Sequence, residues 1–101
     1  MRVMVLFDLP SVTVEERQAY ATFRRYLLKS GFLMVQESVY SKLAANAVVA
    51  NTVIANVKAH APEKGLVQLL AVTEKQYGKM EVIVGNAHDE VLNSDARLVI
   101  L

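Results

Sequence analysis

Apolar residues fall along this chain in three patterns, unbroken runs, runs at helical spacing and short alternating stretches, and their order predicts the fold. The first ten residues, MRVMVLFDLP, form an apolar run carrying only Arg2 and Asp8 as charges. Such a run closed by a proline reads as a strand buried on both faces in mid-sheet, with Asp8 at its carboxyl end. Pro10 fixes its own φ and biases Leu9 away from helical angles, so a short turn follows. Thr13-Val14-Glu15-Glu16 then reads T-x-x-E, a capping box opening a helix that runs to about Lys29, with Gly31 just beyond its end. At 100° per residue, Ala19, Tyr20, Phe23, Tyr26 and Leu27 gather on one side of that helix and form its core face. Because Thr13 can do the capping, Asp8 is not needed for it.

The next stretch, FLMVQESVYSKL, is rich in β-branched and aromatic residues. It predicts two strands, Phe32 to Gln36 and Val39 to Leu43, around a tight turn at Glu37-Ser38; one long bent strand is the alternative. Asn46 can cap a second helix over Ala47 to Ala61, striped by Val49, Val53, Ile54 and Val57 and stopped by Pro62. Gly65 opens a strand over Leu66 to Thr73, whose LVQLLAV predicts a central, buried position. Glu74 to Gly78 reads as a polar connector and Met80 to Val84 as a short alternating strand. After polar residues, the chain ends in an apolar run that predicts an edge strand at Leu98, Val99, Ile100 and Leu101, paired within this chain or with another subunit.

Strand, helix, strand, strand, helix, strand is the ferredoxin-like βαββαβ order, an α+β fold with an antiparallel sheet and both helices on one face. One or two extra C-terminal strands follow. The 101 residues make one domain, with 1–85 as its core and 86–101 as a C-terminal extension. If the central strands are apolar on both sides, the sheet face opposite the helices needs cover. A homodimer formed through the sheets supplies it.

Composition narrows this picture modestly. With 53% hydrophobic and 21% charged residues the chain is too apolar for disorder, and its apolar runs are too short to cross a bilayer. The absence of cysteine removes disulfides and thiolate chemistry, which fits a reducing compartment, and a cytoplasmic protein is the expectation. A net charge of +1 does not by itself announce a nucleic-acid binder. Its distribution matters more, because Arg17, Arg24, Arg25 and Lys29 spread over the outer side of the first helix with no acid after Glu16 to neutralise them. That face is either plainly solvated or suited to phosphates, whose geometry arginine forks match.

Signatures of nucleotide hydrolases, zinc proteases and esterases are missing. His60 fits a helix end, and His88-Asp89-Glu90 is a weak metal pattern. No strand carries the aromatic pattern of an RNA-recognition module. Asp8 remains. In a dimer built through the sheets, one Asp8 from each chain could share a hard cation such as Mg²⁺ near the two-fold axis. Hydrogen bonding of Asp8 to the following turn is the equally weighted alternative.

Several ordered motifs carry a resemblance over most of the chain: FDLP at Phe7 to Pro10, R-x-x-Y-x-x-F-R-R-Y-L-L at Arg17 to Leu28, GF-x-M-x-Q-x-SVYSKL at Gly31 to Leu43, VTEKQ at Val72 to Gln76 and M-x-V-I-V-G at Met80 to Gly85. The chain resembles the CRISPR-associated protein 2 family, in the form found in type II-A adaptation modules. The resemblance implies a ferredoxin-like homodimer seated between two dimers of the CRISPR-associated protein 1 integrase, helping to hold the double-stranded DNA that becomes a new spacer. It also implies a Mg²⁺-dependent endonuclease site with Asp8 as catalytic residue and metal ligand. DNA contacts are implied at Arg17, Arg24, Arg25 and Lys42. The near-neutral charge implies that only part of the surface touches DNA, the partner completing the affinity. A ferredoxin-like regulatory or small-ligand dimer is the alternative from another class.

Overall fold

The structure, a computed structural model, describes residues 1–85. Four strands and two long helices alternate as predicted: β1 (Arg2–Asp8), α1 (Val14–Lys29), β2 (Leu33–Gln36), β3 (Val39–Leu43), α2 (Ala47–His60) and β4 (Leu66–Val72), followed by a one-turn helix α3 (Glu74–Tyr77). The sheet is antiparallel throughout in the order β2-β3-β1-β4, the ferredoxin-like arrangement.

Local chemistry sets these boundaries. The Glu16 amide donates to Thr13 Oγ1 at 3.1 Å, and Glu16 Oε1 accepts from the Thr13 amide at 3.0 Å, closing the capping box. Gly31 adopts φ +95° after the α1 C-terminus, where a residue with a Cβ is strained. The tight turn between β2 and β3 falls at Glu37-Ser38, with Ser38 itself at φ +65°. Asn46 Oδ1 accepts from the Val49 amide at 2.9 Å and starts α2.

The core lies between one face of the sheet and the two long helices. Val3, Val5 and Phe7 project from β1, Tyr40 from β3, Phe23 and Leu27 from α1, and Ala50 and Val57 from α2; all are buried. Phe7 is the hub. Its ring meets Phe23 at 5.4 Å and Tyr20 at 5.8 Å edge-on, and stacks against Tyr40 at 5.7 Å. Three aromatic contacts therefore pin the residue that precedes Asp8.

Four expectations change. Among the described residues the apolar run of β4 lies at the sheet edge, not its centre: Val67, Leu69 and Ala71 turn toward the helices, whereas Leu66 and Leu70 are each 54% exposed on the opposite face. Among the described residues only α3 reaches that face, at its Arg2–Ser41 end, and it leaves Leu66 and Leu70 in solvent, so an unbroken apolar run does not imply burial on both sides. Met80 to Val84 forms no strand. A strand needs a ladder partner, and the segment leaves α3 with its side chains in solvent, Ile83 84% and Val84 89% exposed. The expected connector is α3, because Thr73 and Gln76 form a second capping box, with the Gln76 amide donating to Thr73 Oγ1 at 3.0 Å and the Thr73 amide to Gln76 Oε1 at 2.9 Å. On α2 Val57 is buried as expected, but its buried companion is Ala50, while Val49 is exposed and Val53 and Ile54 are half-buried. The proposed edge strand Leu98 to Leu101, and His88-Asp89-Glu90, lie outside the described residues.

Candidate functional site

Successive side chains of a strand point to opposite faces. With Phe7 committed to the helical side, Asp8 turns to the open face at the carboxyl end of β1, and it is exposed there. Its backbone is held on both flanks. The Phe7 amide donates to the Ser38 carbonyl at 3.0 Å on the β3 side, and Asp8 closes the β1/β4 ladder opposite Leu66. The Asp8 carboxylate accepts no hydrogen bond from another side chain or amide among the described residues. Thr13 does the capping, as expected, and the turn after β1 leaves Asp8 free.

Asp8 borders a shallow cavity of about 280 Å³ with Glu37, Ser38 and Gln68 as further polar groups, floored by Leu6, Val39 and Leu66. Sequence reasoning found Asp8 and missed the other three. The Glu37-Ser38 turn was legible, but its approach to the end of β1 is a product of the β1-β3 pairing. A second, larger cavity of about 520 Å³ lies beyond the turn, between Pro10, Tyr20 and Pro62, with Glu15 and Glu63 at its rim.

No group of three or more acidic or histidine side chains able to hold a metal occurs among the described residues. Carboxylate oxygens are nonetheless the donors that Mg²⁺ prefers, and an exposed, unbonded carboxylate fits one position in an oxygen shell. One chain supplies part of such a shell, and waters or a second copy must complete it.

The basic residues occupy the other layer. Arg24 and Arg25 are exposed on the outer side of α1 with no acidic side chain in ion-pair range among the described residues. Arg17, seven positions before Arg24 and so on the same stripe about 10 Å away, is exposed too. Its Nη1 donates to the Val12 carbonyl at 2.6 Å, which ties it to the helix start. Lys42 stands apart. It is half-buried, and its Nζ donates to the Ser30 carbonyl at 2.5 Å, closing the C-terminus of α1. The arginines thus share one surface, Asp8 lies on the opposite side of the sheet, and Lys42 sits between the layers.

Arg2, the other charge of the opening run, acquires a structural role. Its Nη2 and Nε donate to Glu74 Oε1 and Oε2 at 2.7 and 2.8 Å, its Nη1 reaches buried Ser41 Oγ at 3.3 Å, and its Cζ lies 4.4 Å from the centre of the Tyr77 ring. This fastens α3 to the start of β1. The hydrogen bonds from Arg2 hold the Glu74 carboxyl below its ordinary range, and those bonds raise Arg2 in turn. Backbone amides of Thr13 and Val12 do the same for Glu16, lowering its carboxyl. No helix among the described residues is long and apolar enough to cross a membrane.

A four-stranded antiparallel sheet, two long helices on one face and an exposed carboxylate ending the first strand define a ferredoxin-like α+β protein that, among the described residues, leaves much of its open face and its helix arginines exposed. The family model for CRISPR associated protein Cas2 matches residues 1–80. Relatives named CRISPR-associated endoribonuclease Cas2 include one from Treponema denticola, 52% identical over 101 residues and all of both chains. Another from Streptococcus mutans is 48% identical, covering all of this chain and 93% of its own, and one from Ligilactobacillus salivarius is 44% identical over all of both. The chain belongs to the Cas2 family.

Proposed function

We propose that this protein acts in CRISPR adaptation as a homodimeric scaffold that binds double-stranded DNA together with the CRISPR-associated protein 1 integrase, and that Asp8 is its nuclease carboxylate. The observation that carries the reading is the position of Asp8 within a whole-chain family match: exposed, free of internal partners and set beside an uncovered apolar sheet face. Pairing two copies through that face covers Leu6, Leu66 and Leu70 and brings the two Asp8 carboxylates to one seam. Asp8 from each copy would hold Mg²⁺, which when bound supplies Lewis-acid stabilisation of a phosphodiester. Ser38 and Gln68, on the cavity wall, are the groups available to orient the phosphate. On the outer layer Arg17, Arg24 and Arg25 grip backbone phosphates without reading sequence. Lys42 contributes by fixing the end of the arginine-bearing helix.

RNA is the second substrate reading, favoured by the relatives' name, CRISPR-associated endoribonuclease Cas2. Asp8→Asn is expected to abolish Mg²⁺-dependent cleavage of single-stranded RNA and duplex DNA while leaving the circular dichroism spectrum and duplex retention unchanged. Undiminished cleavage by the purified variant overturns the nuclease role. Arg24→Ala/Arg25→Ala tests the scaffold separately, through duplex retention by the complex with the integrase.

A further inference from the structure

Nothing hydrogen-bonds the Asp8 carboxylate among the described residues, so the backbone alone sets the direction of its Cα–Cβ bond, and Gly65 lies against that backbone from the β4 side. Gly65 has φ +95°, a conformation that residues with a Cβ rarely adopt. A Cβ built there lies 2.8 Å from Leu9 Cδ2, 2.9 Å from the Asp8 carbonyl oxygen and 3.0 Å from Pro10 Cδ. Leu9 Cδ2 is the end of a flexible side chain and can swing away. The Asp8 carbonyl and the Pro10 ring cannot, so any side chain at position 65 must turn the Asp8-Leu9 peptide or push the loop before β4 outward.

We infer that Gly65 is a positioning residue for Asp8, its missing side chain letting the loop before β4 lock the Asp8 backbone so that the Cα–Cβ bond leaves the sheet in a fixed direction and the carboxylate samples its rotamers from a fixed root. This rests on the reading of Asp8 as the metal-holding carboxylate. The geometry explains why the lock works from this side. Leu66, the next residue, is the ladder partner of Asp8, while Ser38 holds Phe7 from the other flank, leaving Gly65 as the contact that decides the tilt of the last peptide of β1. Groups that orient a metal ligand typically alter metal affinity about 10- to 100-fold when they are changed.

The test compares Gly65→Ala, Leu9→Ala/Gly65→Ala, Asp8→Asn and Asp8→Asn/Gly65→Ala in the full chain. Mn²⁺ alone serves as the binding probe, read by isothermal titration, and amide chemical shifts are read without metal. Gly65→Ala is expected to move the Asp8 and Leu9 amide resonances, to weaken Mn²⁺ at least tenfold and to lower kcat for RNA cleavage with little change in KM. The Leu9→Ala/Gly65→Ala protein, which lacks the Leu9 side-chain clash but keeps those with the Asp8 carbonyl and Pro10, is expected to show the same loss, and adding Gly65→Ala to Asp8→Asn to cause no further loss. The Leu9→Ala/Gly65→Ala protein is read in place of the single variant where Gly65→Ala alone does not fold. Wild-type Mn²⁺ affinity in Gly65→Ala, or its recovery in Leu9→Ala/Gly65→Ala, overturns the positioning role while a defective Asp8→Asn leaves the Asp8 reading standing. Wild-type affinity in Asp8→Asn overturns both.

Discussion

At the scale of single residues, short polar contacts decide where elements begin, and aromatic packing decides where Asp8 stands. Thr13→Ala removes the acceptor of the Glu16 amide and is expected to cost about 1 kcal/mol in urea unfolding. Phe23→Ala leaves a void under Phe7 and is expected to cost about 3 to 5 kcal/mol, within reach of unfolding a domain of this size. Glu74 and Glu16 both have folded carboxyls held below the ordinary 4.5, so the unfolded chain takes up protons first as acid is added. Their contribution is complete above that unfolded value and disappears as pH falls through the folded ones. Arg2, shifted upward, stays charged throughout and adds no slope. Urea midpoints measured between pH 7 and pH 3 are therefore expected to drop on acidification, and to drop less in Glu74→Gln. An equal drop in wild type and variant would show that the Arg2 contact is absent in solution.

At the scale of elements, α1 divides its length between core and charge, and α3 depends on one guanidinium. Each phosphate neutralised on duplex DNA contributes a slope of about 0.9 in the dependence of log affinity on log salt, so Arg24→Ala/Arg25→Ala is expected to lower the slope by up to about two. An unchanged slope would mean that this helix face is only solvated. For α3, Arg2→Ala removes the fork on Glu74 and the cation over Tyr77. Amide exchange at residues 74–78 is expected to accelerate selectively, because a helix of one turn has too few internal bonds to persist alone. Retained protection there would place its stability in the Thr73-Gln76 capping box instead. The T-x-x-Q spacing of that box was visible in the chain, yet polar composition masked it and the stretch read as a connector.

At the scale of the whole molecule, the two long helices cover one side of the sheet, and among the described residues the other side is covered only where α3 meets Arg2. Leu66 and Leu70, with Leu33 and Leu43, give the open face an apolar character that solvent does not reward. Leu70→Glu is expected to leave the monomer fold intact, since that side chain is already 54% exposed, and, under the proposed pairing through this face, to shift sedimentation from dimer to monomer. A variant that still sediments as a dimer would move the interface elsewhere.

Taken by itself, the sequence determined the order of strands and helices, the caps at Thr13 and Asn46, the turn at Glu37-Ser38 and the candidacy of Asp8. Each is encoded within a few residues: hydrophobic period, capping side chains, proline and glycine. Only the tertiary structure decided what depends on residues far apart in the chain. It placed β4 at an edge, since position in a sheet follows from pairing and not from apolarity. It joined Arg2 to Glu74 across 72 positions and brought Glu37, Ser38 and Gln68 to the cavity of Asp8. It also set Gly65 against the Asp8 carbonyl, a contact no local pattern encodes because its cause is the meeting of two loops in space.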